Sequence, residues 1–242
     1  MATPITKIPK PGAEQYQDTR KLFLVPMYML APDAPKDGQK LLDRYWTEVR
    51  DHIENLERTL GKVSHVYHEA VFVDGDAGMD MIESLNPKAI SFIRAMCHSD
   101  ARLEATDHQG FLEESTDWQR CISIGLMSTK VMDTAVQRFR EATDGRYAHI
   151  GNRIGATLQK GEAGVLFIRP DHRVQFHDDV KVFYVSPPAQ DVFKRWMDDQ
   201  MRAATQRYQE EIQASQDAEN EAGSGMRADE SGEDEDRPTQ SK

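Results

Sequence analysis

Apolar residues recur along this chain with two different periods, which predict alternating strands and helices. Residues 22–30 are apolar at nearly every position, as in a strand buried on both faces, although Pro26 predicts an edge or a bulge there. Residues 41–60 place apolar side chains at steps of three and four, which indicates an amphipathic helix that ends before Gly61. Residues 62–73 are rich in Val, Tyr and Phe and predict a second strand. This order predicts a right-handed parallel βαβ unit.

The middle of the chain carries a long helical pattern. Residues 112–143 repeat apolar side chains with helical spacing, and Gly125 and Ser128 are expected to weaken or bend the middle of this helix. The pattern is predicted to end at Asp144-Gly145. This is the longest helix that the spacing indicates.

Residues 146–197 contain the clearest succession of elements in the chain. A short helix over 147–158 is predicted to stop at Gly161, and the compact apolar run 163–168 predicts a buried strand. A further strand over 180–185 and a final helix complete an α-β-β-α order. We expect both strands to extend or neighbour the sheet that begins at residue 22.

These patterns predict an α/β fold with a small mixed or mainly parallel sheet of about four strands, flanking helices and a long central helix. Residues 1–19 are predicted to be a flexible lead-in and residues 20–208 the globular region, either undivided or as halves 20–110 and 146–208 joined by the long helix. The polar, acidic composition of residues 209–242 predicts a disordered tail.

The charge of the chain is concentrated in that tail. The formal net charge is -11, and residues 209–242 contain 11 acidic and three basic residues, so the rest of the chain is close to neutral. A strongly basic footprint, typical of proteins that grip phosphate backbones, is absent overall. The tail is expected to aid solubility, to repel nucleic acid or to engage a basic partner.

The cysteines and the chain ends bear on the compartment. Cys97 and Cys121 lie within helical patterns and are interpreted as buried small hydrophobic residues in a reducing compartment. The first residues are Pro-rich without the apolar stretch of a signal peptide, and the longest apolar run is about half of a membrane span. The sequence therefore predicts a soluble cytoplasmic protein with no membrane partner.

One loop concentrates side chains that could carry chemistry. His172, His177, Asp178 and Asp179 lie between two predicted strands, and imidazoles with carboxylates can hold a divalent metal or exchange protons. The spacing matches no compact metal signature, and an extended chain would place the two histidines on opposite sides. These four residues are candidate metal ligands, with an ordinary polar loop as the alternative.

The remaining motifs do not assemble an active site. His65 and His68 would face opposite sides of a strand, so each is interpreted as a hydrogen-bonded structural histidine. Gly151 and Gly155 lie inside a helical pattern and are expected to permit close packing rather than to cradle phosphate. The chain has no nucleophile elbow, P-loop, dinucleotide fingerprint, zincin motif or paired-cysteine zinc pattern. No catalytic residue, cofactor-binding residue or cofactor is predicted.

The run RIGATLQKGEAGVLFI at residues 153–168 resembles the helix-glycine-strand element in the last domain of archaeo-eukaryotic peptide release factors and their bacterial relatives. That domain is also similar to kink-turn-binding ribosomal proteins. The chain lacks the Gly-Gly-Gln tripeptide of the family, so no hydrolytic residue carries over, and the segment after residue 168 is too short for the usual intervening helix. The resemblance implies a binding domain of translation-related ancestry.

The sequence favours a non-enzymatic cytoplasmic interaction or regulatory protein with a protein partner. One alternative is a metal-assisted hydrolase that uses His172, His177 and Asp178. Another is a factor that associates with the ribosome or with RNA.

Overall fold

Residues 12–229 are described by a computed structural model, without the side chains of residue 13 and of residues 217–229. The strands are β1 (Arg20–Pro26), β2 (Val63–His68), β3 (Arg102–Leu103), β4 (Ala163–Ile168) and β5 (Val180–Tyr184). The helices are α1 (Lys36–Leu60), α2 (Gly75–Leu85), α3 (Ile90–His98), α4 (Gln109–Ser123), α5 (Thr129–Thr157) and α6 (Pro188–Asp229), and a 3-10 turn spans Ala13–Tyr16.

The five strands form one parallel sheet in the order β3-β2-β4-β1-β5. The predicted α/β fold with a mainly parallel sheet, flanking helices and a long central helix is confirmed, with five strands where about four were expected. The additional strand is β3, which has two residues. Both β4 and β5 pair with β1, as expected for strands that extend or neighbour the sheet that begins at residue 22.

Strand β1 lies inside the sheet and is buried from Lys21 onward. The edge position expected from Pro26 is wrong because β1 has β4 on one side and β5 on the other. Pro26 is tolerated since it is the last residue of β1, and β5 has already ended at Tyr184, opposite Leu24. The missing N–H of the proline therefore removes no hydrogen bond to β5.

The connection from β1 through α1 to β2 joins parallel strands, but they are not neighbours. Strand β4 lies between them and pairs with both. The βαβ unit predicted over residues 22–73 therefore has its two strands parallel, as expected, but β4 from far along the chain lies between them.

Helices cover both faces of the sheet. On one face, α5 packs its apolar side against β1, β2 and β4 in a core that contains Tyr67, Tyr147, Ile150, Ile154 and Leu166. On the other face, Trp46 of α1 contacts Phe167, with ring centroids 6.1 Å apart. Burial on both faces explains why the strand sequences are apolar at consecutive positions.

The long helix predicted over residues 112–143 is two helices. It breaks at Gly125, whose φ of 74° is costly for other residues, and α4 and α5 pack together as a helical hairpin. The predicted stop at Asp144-Gly145 is wrong, because α5 continues to Thr157 and absorbs the helix expected over 147–158. A Cβ on Gly145 would lie 3.0 Å from Phe111 Cζ. The close packing of α5 against α4 therefore requires a residue without a side chain at position 145.

The structure describes only part of each end of the chain. Residues 1–11 of the predicted lead-in lie outside the described residues, but Tyr16 contacts Phe183 at a ring-centroid distance of 5.2 Å. The chain divides into the compact units Met1–Phe193 and Lys194–Lys242. Helix α6 continues to Asp229, where a disordered tail was predicted from residue 209, and residues 230–242 lie outside the described residues.

Candidate functional site

Charged side chains converge where the parallel strands end. Glu69 directly follows β2, Asp107 lies four residues after β3, and Arg169 directly follows β4. Arg146 reaches the same place from α5. The carboxyl edge of a parallel sheet is the usual position of ligand sites in α/β folds, so this edge is the first candidate site.

Arg146 and Asp107 form a buried bidentate ion pair. The Arg146 Nε atom donates to Asp107 Oδ1 at 3.0 Å and to Oδ2 at 2.8 Å, and Nη2 donates to Oδ2 at 2.6 Å. Burial alone would lower the pKa of Arg146, but the hydrogen bonds and charge of Asp107, with the charge of Glu69, outweigh burial and leave that pKa raised. Arg146 is therefore a permanent cation, and Asp107 fixes the orientation of its guanidinium.

Glu69 joins this pair to a second arginine. Its Oε1 atom lies 3.0 Å from Arg146 Nη2 and accepts from Arg169 Nε at 2.6 Å, while its Oε2 accepts from the Arg169 backbone N–H at 2.8 Å. We call Glu69, Asp107, Arg146 and Arg169 the buried ion cluster. Glu69 and Asp107 are buried, whereas the Arg169 side chain is 47% exposed.

Backbone groups also hold the cluster. Asp107 Oδ2 accepts from the Ala70 N–H at 2.8 Å, and Ala70 has a φ of 67°, which is unusual for a residue with a side chain. The turn that follows β2 is thus fastened to the turn that precedes α4. Two carboxylates and two guanidiniums balance in charge, and removing one member would leave a buried charge unpaired.

A second group of charges lies beside the first. The two ring nitrogens of His65 face Glu104 Oε1 at 2.9 Å and Glu162 Oε2 at 3.1 Å, and Arg153 Nη2 donates to Glu104 Oε2 at 3.0 Å. Carboxylate oxygens only accept, so both contacts are hydrogen bonds when His65 carries two ring protons. This group connects β2, β4 and α5, and it fits the structural role predicted for His65.

His68 faces a different environment. Its Nδ1 donates to the Glu69 carbonyl at 2.6 Å, and its Nε2 is buried without a hydrogen-bond partner among residues 12–229. Burial lowers the pKa of His68 to about 4, and the Glu69 carbonyl only partly opposes this. His68 is therefore a neutral structural histidine, separate from the groups that bind His65.

A cleft of 430 Å³ opens in front of the buried ion cluster. We call it the arginine cleft because Arg120, Arg146 and Arg169 line it. Hydroxyl and amide side chains of α4 supply much of the remaining wall. They are Ser115, Thr116, Gln119 and Ser123. Among the described residues that line the cleft, none is acidic, since Glu69 and Asp107 lie behind the two arginines that they bind.

The metal-ligand candidates of the sequence are not gathered into one group. His172 Nδ1 accepts from the Val174 N–H at 3.3 Å, while His177 lies 3.5 Å from Asp179, which also contacts Arg20 at 3.4 Å. The carbonyl oxygen of Asp178 accepts from Lys181 Nζ at 3.5 Å. Within the described part of the chain, no group of three or more His, Cys, Asp and Glu residues could hold a metal ion.

The end of the α4–α5 hairpin exposes apolar side chains. We call residues 121–132 the hairpin tip. Ile124 is 75% exposed, Met127 is fully exposed and Val131 is 51% exposed. Ser115 is the only buried residue of α4, so this helix contributes little to the protein core.

Cys121, predicted to be buried, is only partly buried here, as is Cys97 in α3, and both thiols are free.

Sequence reasoning missed the buried ion cluster and the hairpin tip. A usable signal for the cluster was the charge immediately after two apolar strands, at Glu69 and Arg169. For the tip, the signal was ISIGLMSTKVM, an apolar stretch that interrupts helical spacing at a glycine. The close packing expected at Gly151 is present, since a Cβ there would lie 2.5 Å from the Gln175 carbonyl oxygen, but at Gly155 a Cβ would meet only His177 Cδ2 at 3.9 Å.

The chain matches no family model, no curated protein sequence and no solved structure. The resemblance of residues 153–168 to release factors therefore stays a prediction. Among the helices of residues 12–229, none has the length and apolar character needed to cross a membrane.

Proposed function

We propose that this protein is a non-enzymatic interaction or regulatory protein that binds a protein partner through the hairpin tip. The observation that carries the proposal is the exposure of Ile124, Met127 and Val131 at the end of a hairpin. Exposed apolar side chains that cluster on one surface mark interaction sites more often than isolated ones do. The partner surface is an apolar groove.

The charges around the tip define that groove further. Between Arg120 and Asp133, Lys130 is the only charged residue, so most of the tip can be buried with little cost of charge desolvation. Arg120, Lys130 and Asp133 are the charges nearest the apolar side chains in sequence, and Arg120 Nη1 also donates to Asp117 Oδ1 at 3.0 Å. A groove with an apolar floor and charges of both signs at its rim is complementary to this arrangement.

The buried ion cluster supports a binding role over a catalytic one. The carboxylate oxygens of Glu69 and Asp107 accept hydrogen bonds from guanidiniums and backbone N–H groups. Carboxylates bound in this way are held in one orientation, which suits a rigid frame. A general acid or base would need a proton-accepting position that faces a substrate.

The test places a photo-crosslinking amino acid at position 127 of the full chain in native extract. The matched control carries it at position 201, where Met201 is 67% exposed on α6. We expect one protein to crosslink at position 127, and purified binding of that protein to be lost in the double variant Ile124→Ser/Met127→Ser. Equal crosslinking at both positions would contradict the proposal.

Further arms distinguish other occupants of the tip. Crosslinking of the chain to itself at position 127, with mass that rises with concentration, would identify a second copy and overturn the proposed partner. Loss of the crosslink after ribonuclease treatment would instead support the ribosome- or RNA-associated alternative. A version that lacks residues 209–242 should crosslink as the full chain does, because the tip carries the contact.

A further inference from the structure

We infer that the arginine cleft binds the oxyanion group of a small molecule, as a phosphate ester or a carboxylate. This site adjoins the hairpin tip at Ser123 and Ile124, but the inference does not depend on the proposed partner. The inference rests on how the guanidiniums of Arg146 and Arg169 are held and on which of their nitrogens have no hydrogen-bond partner among the described residues.

Arg146 binds the buried ion cluster through one edge of its guanidinium and leaves the other edge without a partner among the described residues. Its Nε and Nη2 atoms bind Asp107 and Glu69. Its Nη1 atom makes no hydrogen bond to any residue in the described part of the chain, although Arg146 is 4% exposed and lines the cleft. A buried cation with a free donor at a cleft is a preorganised contact for an anion.

Arg169 is held in the same manner. Its Nε binds Glu69 Oε1 at 2.6 Å, and neither of its terminal nitrogens bonds to a described residue. Glu69 therefore fixes two guanidiniums at once, each through atoms that point away from the unpartnered nitrogens. Because the fold already orders these long side chains, binding a ligand costs little additional side-chain entropy.

The cleft is built to accept negative charge. Arg120 adds a third guanidinium from α4, whose Nη1 also donates to Asp117 Oδ1 at 3.0 Å, and hydroxyl and amide groups of that helix form much of the remaining wall. The volume of 430 Å³ is within the range of small-molecule pockets, so the ligand is larger than a free phosphate ion. A small organic anion fits both the charge and the size.

Calorimetric titration of the full chain tests this inference with four probes. They are adenosine 5′-monophosphate, adenosine, citrate and inorganic phosphate, each at matched ionic strength. We expect the monophosphate or citrate to bind at millimolar or lower concentration, and adenosine not to bind. Tighter binding of the monophosphate identifies the phosphate ester, and tighter binding of citrate identifies the carboxylate.

Matched arginine variants locate the site. Arg169→Gln should weaken binding by about 10-fold or more, as expected for loss of a charge-assisted hydrogen bond. Arg173→Gln removes the same charge at a side chain that is 59% exposed and outside the cleft, and should leave binding unchanged. Arg120→Gln, at a side chain 75% exposed, provides a second cleft variant in case Arg169→Gln fails to fold.

Two results would overturn the inference. One is the absence of binding by the monophosphate, citrate and phosphate at millimolar concentration. The other is an equal loss of affinity in Arg173→Gln and the cleft variants, since this would show a response to net charge alone. Neither result bears on crosslinking at the hairpin tip, so the two proposals fail separately.

Discussion

Two glycines on one helix should respond in opposite directions to the same substitution. Gly151 and Gly155 both lie inside α5, four residues apart. A Cβ at position 151 would lie 2.5 Å from the Gln175 carbonyl oxygen, whereas a Cβ at position 155 would meet only His177 Cδ2, at 3.9 Å. The first contact is a collision with backbone and the second is an ordinary van der Waals contact.

The magnitudes follow from two opposing effects. Replacing glycine by alanine in a helix interior stabilises it by about 1 kcal/mol, because alanine loses less backbone entropy on folding. Gly155→Ala should show this gain. Gly151→Ala should gain the same amount but lose about 2–3 kcal/mol, because the segment between β4 and β5 must move away from α5. The two variants should therefore differ in the free energy of unfolding by about 2–3 kcal/mol.

Urea denaturation followed by far-UV circular dichroism measures the difference. With a typical dependence of about 1–3 kcal/mol per molar urea, the midpoints of the two variants should be separated by roughly 1 M or more. Equal midpoints, or a lower midpoint for Gly155→Ala than for Gly151→Ala, would refute the reasoning. That result would mean that the connection between the strands does not press on α5 as the structure shows.

Three other outcomes are expected from the clusters described above. The lowered pKa of His68, about 4 against an ordinary 6.5, means that its neutral form contributes stability above pH 6.5 that is lost as pH falls towards 4; the wild type should lose about 3 kcal/mol more than His68→Asn over this window in denaturant titrations. Asp107→Asn should destabilise the protein by about 3–5 kcal/mol, because it leaves the buried guanidinium of Arg146 without its bidentate partner, and a loss below 1 kcal/mol in chemical denaturation would contradict this. Elemental analysis of the purified protein should find no stoichiometric metal, and His177→Ala should keep wild-type stability, since the His177 side chain is 78% exposed.

Local periodicity predicted those elements whose side chains repeat over many residues. The apolar run of β1 and the three- and four-residue spacing of α1 each carry their own signal, and both elements are present. Strand β3 has two residues, too few for any period to be visible. The continuation of α5 through Gly145 depends on the ring of Phe111, which lies on another helix and leaves no trace in the local pattern.

The candidate site was harder to predict because its members are far apart in sequence. Glu69, Asp107, Arg146 and Arg169 meet only after three strands have aligned and α5 has packed on them. The group around His172 and His177 is dense in sequence and was therefore predicted as a site, yet the side chains of these two residues contact separate partners. Residues that are close in sequence did not form the site, because parallel strands bring residues from distant parts of the chain together at their carboxyl ends.

The strand order also has a consequence for how the protein folds during its synthesis. β1 is made first but pairs only with β4 and β5, for example Lys21 with Ala163 and Arg20 with Val180. At typical elongation rates the nascent β1 waits roughly 10 s before its first neighbour is translated, with its apolar residues available for non-native pairing. This late closure predicts slow folding and dependence on chaperones that shield a nascent chain, even though the finished sheet buries β1 on both faces.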